Sequence, residues 1–264
     1  LQLTSVFVRL ILGAVASAMS AFGARRMRAL SRTGAIAAFV VGTAAVIAGW
    51  SWAALLIAYF VAATALSKFG EEKKATRIGS IVDKGDERDA TQVFANGGIF
   101  AVAAIAELIT HSPAWYAIGV GALAASAADT WATEVGTLAG GEPVSIISGR
   151  RVPAGTSGGI TLTGSLAGVA GSLFVAAGTA LARWPVTFTA VALGGIAGAL
   201  SDSLLGATLQ SRRWCDACEK PTERLVHDCG NRTRRIGGVG GLDNDAVNAV
   251  CSVVGALVAL LLSR

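Results

Sequence analysis

Residues 33–67 contain no Asp, Glu, Lys, Arg or His. As one helix this run would be about 50 Å long at about 1.5 Å per residue. The hydrocarbon core of a bilayer is only about 30 Å thick. The run therefore has to break in two. Gly49-Trp50-Ser51-Trp52 is the place for a tight turn, because Trp favours the membrane interface. Similar apolar stretches predict spans near 3–22, 33–49, 51–68, 90–110, 114–138, 157–182, 186–210 and 243–262. The chain is 53% hydrophobic and 15% charged, too little charge for a soluble surface of this size. Its 33 glycines suit helices packed closely in lipid. The expected fold is all-α: a polytopic membrane bundle of seven or eight transmembrane helices. Residues 1–264 form a single integral membrane domain, within which 211–241 make a polar loop. The chain begins at Leu1, so a start residue or short leader is expected before it. The first apolar run reads as a span, not a cleaved signal.

Charge placement orients the bundle. The loop after the first span holds Arg25, Arg26, Arg28 and Arg32. The loop after the third holds Lys68, Lys73, Lys74, Arg77, Lys84 and Arg88. Arg150 and Arg151 follow the fifth span. Arg212, Arg213, Lys220, Arg224, Arg232, Arg234 and Arg235 follow the seventh. These are 19 of the 22 basic residues, the others being Arg9, Arg183 and Arg264. Eight spans put all four loops on one face, which the positive-inside rule makes cytosolic. Seven spans would split them. The protein is then expected in the inner or plasma membrane of the cell, with both termini outside. The net charge of +5 is explained by this rule and does not call for nucleic acid.

A weak internal repeat is present. Residues 121–130 read GALAASAADT and residues 194–203 read GGIAGALSDS. Each Asp lies eight residues after its Gly and precedes a hydroxyl residue. Each segment leads to a basic loop and then a glycine cluster, GTSGGI at 155–160 and GGVGG at 237–241. The two units would be parallel.

Ionisable groups within a membrane are costly and commonly functional. Glu107 lies beside His111 near the outer end of its span and reads as interfacial. Asp129, Glu134, Asp202 and Asp245 read differently. Asp129 and Asp202 sit at matching depth, about 13 Å from the cytosolic ends of their helices at about 1.5 Å per residue. They either join helices or share a site. Asp129 neighbours Thr133, and Thr130 neighbours Glu134, at helical i, i+4 spacing. Carboxylates and hydroxyls are hard oxygen ligands of the kind Mg²⁺ takes, with phosphate completing its shell. The Mg²⁺ candidates are Asp129, Thr130, Glu134, Asp202 and Asp245, and the catalytic candidates among them are Asp129, Glu134 and Asp202. Asp243 or Asn244 is alternatively a helix N-cap.

Arg150, Arg151, Gly155, Thr156, Ser157, Gly158, Gly159 and Thr161 precede or open a helix at the cytosolic face. Free N–H groups and positive dipole there favour phosphate, and arginines add charge-assisted contacts. No GK[ST] follows, so this is not a Walker A loop. Tight helix packing is the other reading. Arg88, Gln92 and Asn96 fall one turn apart on one face and could hold phosphate or bond a neighbouring helix. Ser203, Asn244 and Asn248 complete the polar set for a nucleotide. Cys215, Cys218, His227 and Cys229 have the types and much of the spacing of a tetrahedral Zn²⁺ site. In a reducing compartment they are otherwise free thiols, and a disulfide framework is not expected.

Several stretches together carry a resemblance. They are SRTGAIAAFVVGT at 31–43, RDATQVFANGG at 88–98, ADTWATEVG at 128–136, GTSGGITLTG at 155–164, GALSDSLLGATLQ at 198–210, the C-x₂-C…H-x-CG loop, and LDNDAVN at 242–248. The chain resembles the membrane family that includes plant and cyanobacterial phytyl-phosphate kinases. That family is similar to the polyprenol and phytol kinases. The resemblance implies transfer of a phosphoryl group from a nucleoside triphosphate, often CTP, to an isoprenyl monophosphate such as phytyl or geranylgeranyl phosphate. Mg²⁺ held by Asp129, Glu134, Asp202 and Asp245 would bridge the triphosphate, while the isoprenoid tail lies between spans. Phosphoryl transfer is mostly positioning and charge neutralisation, and a phosphate acceptor needs no catalytic His. The rivals are a transporter and a lipid-phosphate cytidylyltransferase. The oligomeric state stays open, a homodimer included.

Overall fold

The computed structural model describes residues 2–78, 87–227 and 229–263. Lys84 and Arg264 lie outside the described residues. The chain runs α1 (Gln2–Arg26), α2 (Arg32–Ala48), α3 (Trp50–Lys68), α4 (Glu71–Ile78), α5 (Ala90–Thr110), α6 (Ala114–Ala139), β1 (Val144–Ser145), β2 (Gly159–Ile160), α7 (Leu162–Leu181), α8 (Phe188–Thr208), β3 (Arg212–Cys215), β4 (Lys220–Thr222), β5 (Arg234–Gly237) and α9 (Asn244–Leu262). Eight of these helices coincide with the eight expected apolar segments. The long uncharged run does break, at Gly49, which ends α2 and begins α3. Among the described residues, six helices are long and apolar enough to cross a bilayer, while α2 is shorter at 17 residues. The long helix α6 is rich in Ala and Gly.

Two features add detail to the expected all-α bundle. The amphipathic helix α4 follows α3, and its Glu71 and Glu72 precede Lys73, Lys74 and Arg77. The loops also form two small sheets. β1 pairs antiparallel with β2. β3 pairs antiparallel with both β4 and β5.

Large side chains face outward and small ones inward. Ile36, Val102 and Leu181 are 66%, 65% and 85% exposed. The interior of α6 is Ala117, Gly119 to Ala125 and Ser126 to Ala128, buried on every side. Such an inside-out distribution suits lipid, where no water drives large apolar groups inward and close contact between small residues holds helices together. A helix buried all round occupies the centre, and α6 packs against α3, α5, α7, α8 and α9.

Glycine matters most where α9 meets α6. A Cβ on Gly255 would lie 2.5 Å from Gly121 O and 2.6 Å from Ala125 Cβ. Gly194 of α8 meets Gly255 O as well, so one point on α9 receives both helices. At the opposite end of the bundle from the sheets, Trp52, Tyr116 and Trp184 stack, with Trp52 5.3 Å from Tyr116 and 4.4 Å from Trp184. Phe100 packs edge-on against Trp52 at 5.0 Å.

Helix α4 is fastened by charge. Lys74 Nζ donates to Glu134 Oε2 at 2.5 Å and to the carbonyls of Leu66 and Ser67 at the end of α3. Ser67 Oγ donates to the other carboxylate oxygen of Glu134 at 2.7 Å. The Lys74 side chain is only 9% exposed. Removing one partner of a largely buried pair strands the other charge, at about 3 kcal/mol or more.

Two stability predictions follow from this packing. Gly255→Val should lower the melting temperature of the detergent-solubilised protein by several degrees, as overpacking does. Gly23→Val, where nothing among the described residues lies within 4 Å of the added group, should leave it unchanged. Glu134→Ala should destabilise comparably to Gly255→Val, and the double variant Glu134→Ala/Lys74→Met should recover much of the loss. Fluorescence-detected size-exclusion after heating reads all four.

Candidate active site

The buried core of α6 ends at Ala128, and the next residue is Asp129. Asp202 reaches the same place from α8. Asn248 of α9 lies between them. With its amide nitrogen toward the acids, Asn248 donates to Asp202 Oδ2 at 3.1 Å and to Asp129 Oδ2 at 3.3 Å, and its oxygen accepts from Asn244 Nδ2 at 3.1 Å. The repeated spacing has a geometric meaning. Gly121 and Gly194 both dock at Gly255, and eight residues later Asp129 and Asp202 both meet Asn248, seven residues back along α9.

The two carboxylates open into a cavity of about 370 Å³. That volume lies within the range of about 300–1,000 Å³ usual for small-molecule sites. Gly155, Thr156, Ser157, Gly158, Gly159 and Thr161 form one wall, and Thr133, Ser203 and Asn244 contribute to others. The glycine segment is not the first turn of a helix, as expected. It is a loop leading through β2, and α7 begins only at Leu162, capped by Thr161 Oγ1 accepting from Gly164 N at 3.0 Å. Gly158 holds φ +76° and presses on α8, where a Cβ would lie 2.6 Å from Ser203 O. The segment therefore packs tightly against α8 and also lines the cavity.

Several expected site residues lie elsewhere. Glu134 has both carboxylate oxygens engaged by Ser67 and Lys74 and is not in the cavity wall. Thr130 faces the other way, since consecutive helix residues diverge by about 100°. Asp245 is buried in the first turn of α9 and does not line the cavity. Asp243 is the N-cap, its Oδ1 accepting from Ala246 N at 3.0 Å. Arg150 and Arg151 are exposed, and Arg151 pairs with Glu142 at 2.7 Å. Neither reaches the cavity.

Two residues not singled out from sequence do reach it. Arg77 of α4 lines the cavity and donates to Thr137 O at 2.7 Å and Leu138 O at 3.2 Å, at the end of α6. Glu223, just after β4, accepts from Ser157 Oγ at 2.6 Å and Gln210 Nε2 at 2.7 Å. Its only sequence signal is that of an acid in a strongly basic loop.

Arg88, Gln92 and Asn96 line a second cavity of about 460 Å³ together with Thr130 and Tyr59. Its remaining wall is largely apolar, from α1, α2, α3 and α5, and includes Ala38, Val41, Leu56 and Phe60. Gln92 is also half of a capping box, its Oε1 accepting from Asp89 N and its own N–H donating to Asp89 Oδ1. Backbone bonds Ser31 N to Arg88 O, 3.0 Å, and Arg88 N to Ala29 O, 3.1 Å, fix Arg88 at the mouth. Asp129 and Thr130, adjacent in sequence, therefore face different cavities.

The loop cysteines converge as well. The ligand atoms of Cys215, Cys218, His227 and Cys229 all lie within 4.8 Å of one another. Hydrogen bonds from Asn231, then His227, hold the Cys229 thiol down at about 6, while its bond with Cys229 pushes Cys218 up to about 11. Cys251 is buried in α9 and takes no part.

An all-oxygen set of two carboxylates with Thr133 and Ser203 close by fits a hard divalent cation such as Mg²⁺. Around it stand a glycine loop, an arginine and an amide donor. This arrangement can hold phosphate groups and neutralise charge on them.

The sequence profile described as integral membrane protein DUF92 matches residues 15–256. Protein PGR of Arabidopsis thaliana is 32% identical over 279 residues, covering 94% of this chain and 93% of the relative. An uncharacterized membrane protein of Methanocaldococcus jannaschii is 28% identical over 260 residues, covering 97% and 94%. Protein VTE6, chloroplastic, of Arabidopsis thaliana is 27% identical over 243 residues, covering 89% of this chain and 66% of the relative. No solved structure matches the chain. With nearly its whole length matched, the chain belongs to the DUF92 family of integral membrane proteins.

Proposed function

We propose that this chain is an isoprenyl-phosphate kinase of prenyl-lipid metabolism. It transfers the terminal phosphoryl group of a nucleoside triphosphate, preferably CTP, to an isoprenyl monophosphate such as phytyl or geranylgeranyl phosphate. The observation that carries this reading is the meeting of Asp129 and Asp202 across Asn248 inside the glycine-lined cavity. The resemblance to phytyl-phosphate kinases suggests the acceptor class, and the likeness to Protein VTE6, chloroplastic, supports a place in prenyl-lipid metabolism. In this reading all eight apolar helices cross the membrane and the cavity opens to the cytosol.

Asp129 and Asp202 would hold Mg²⁺, which when bound neutralises the charge of the triphosphate. The backbone N–H groups of the 155–159 loop and Arg77 orient the phosphates. Asn248 keeps the two acids together. An oxygen of the acceptor phosphate forms a bond to the donor's terminal phosphorus. The bond from that phosphorus to the bridging oxygen breaks, and the nucleoside diphosphate leaves. The acceptor oxygen is already anionic, so no general base is needed.

The apolar cavity between α1, α2, α3 and α5 accommodates the prenyl tail, and Arg88 at its mouth pairs with the acceptor phosphate. The polar wall is concentrated at one end of the bundle, which favours an enzyme over a carrier with access from both faces.

Asp129→Asn and Asp202→Asn should each lower turnover roughly 10²–10³-fold, the scale of losing one preorganised electrostatic contact, without changing elution of the folded protein. Phosphorus NMR of purified protein with Mg²⁺, CTP and phytyl phosphate should show the diphosphate and CDP. Pyrophosphate with a CDP-lipid would instead mean a cytidylyltransferase, and no turnover with any prenyl phosphate would favour a carrier. Ala38→Trp in the apolar cavity should raise KM for geranylgeranyl phosphate about tenfold while sparing a five-carbon acceptor, as one misplaced apolar group in a pocket does. Equal effects on both acceptors would remove the tail from this cavity.

A further inference from the structure

We propose that Cys215, Cys218, His227 and Cys229 hold a structural zinc ion that fixes the loop sheet over the candidate active site. Two tight turns face each other. The first is the β3–β4 hairpin, in which Cys215 pairs with Lys220 and residues 216–219 form the turn, with Glu219 at φ +53°. In the second, His227 N donates to Asn231 O at 2.9 Å and Gly230 N to His227 O at 2.8 Å, with Gly230 at φ +81°. A bridge between Val226 and Arg232 holds its base. Cys215 and Cys218 come from the first hairpin, and His227 and Cys229 from the second segment.

The spacing fits a tetrahedron. Zinc–sulfur bonds of about 2.3 Å place two thiolates about 3.8 Å apart. Cys215 Sγ and Cys229 Sγ are 3.6 Å apart, and His227 Nδ1 is 3.3 Å from Cys229 Sγ. The remaining ligand atoms lie within 4.8 Å, so small rotations close the set. His227 Nε2 is buried with no hydrogen-bond partner among the described residues. Three soft thiolates and an imidazole select zinc over magnesium or calcium, and three thiol protons go to solvent as the ion binds.

The sheet leads directly to the cavity. Thr222 ends β4, and the next residue, Glu223, ties Ser157 of the glycine loop to Gln210 at the end of α8. Neighbouring β5 is held to β3 by Arg213, whose guanidinium donates to Thr233 O at 2.6 Å. The ion thereby sets the position of Glu223 without touching it, and Glu223 sets the loop. Zinc content does not depend on what the cavity turns over, so this proposal and the kinase reading fail separately.

The full-length protein, purified in detergent without added metal or chelator, should contain about one zinc per chain by mass spectrometry of the elements. Cys218→Ser and Cys229→Ser should lose most of it, while Asp202→Asn should keep it. A mercurial titrant should release the zinc to a chromogenic chelator. Hydrogen exchange in residues 154–161 should speed up in Cys229→Ser and not in Asp202→Asn. A zinc-free protein with all four thiols titratable in denaturant would overturn the site. So would two thiols lost to a disulfide, or full zinc in the Cys218→Ser/Cys229→Ser variant. Unchanged exchange in 154–161 on loss of zinc would overturn the coupling to the cavity.

Discussion

The close approach of three helix backbones around Gly255 governs this structure. Helices in lipid gain nothing from hiding large apolar side chains, and they associate by contact between small ones. At Gly255 the backbone of α9 meets both Gly121 of α6 and Gly194 of α8. That contact sets the height of all three helices. Asp129, Asp202 and Asn248 then fall at one level because each lies about two turns from the contact. A single carboxylate in such a place would be costly. Here two carboxylates share one amide donor beside an open cavity, which offsets part of that cost.

The same constraint explains how much of the molecule was legible from sequence. The break at Gly49 follows from a charge-free run too long for a bilayer, and the matching Gly–Asp spacing of the two segments points to the acid pair. The neighbours of each acid were not legible. Helical i, i+4 spacing pairs Asp129 with Thr133 and Thr130 with Glu134, and the residue types suggest one shared oxygen site. The fold instead turns Glu134 to Lys74 on α4, a helix too short and too charged to appear in an apolar scan. Arg77, from the same helix, takes the position expected of Arg150 and Arg151. Loop cations are read by sequence only as sidedness, since which of them folds back depends on amphipathic docking that apolar periodicity does not record.

The loop cluster shows the same limit from another side. The C-x₂-C and H-x-C spacings announce a possible ligand set, and the paired turns bring its atoms together. That the same element delivers Glu223 to the glycine loop depends on hydrogen bonds spanning 66 and 13 residues. No local pattern encodes them. A membrane bundle thus carries a small water-facing module whose geometry is set by polar and thiol chemistry, while the helices beneath it are set by the fit of small side chains.

Asp129 and Thr130 lie side by side in the chain yet look into two separate chambers. One strip of helix is therefore a partition between an aqueous compartment and an oily one. On the proposed chemistry, the donor and the acceptor's tail would occupy different chambers, so the two substrates would not compete for one space.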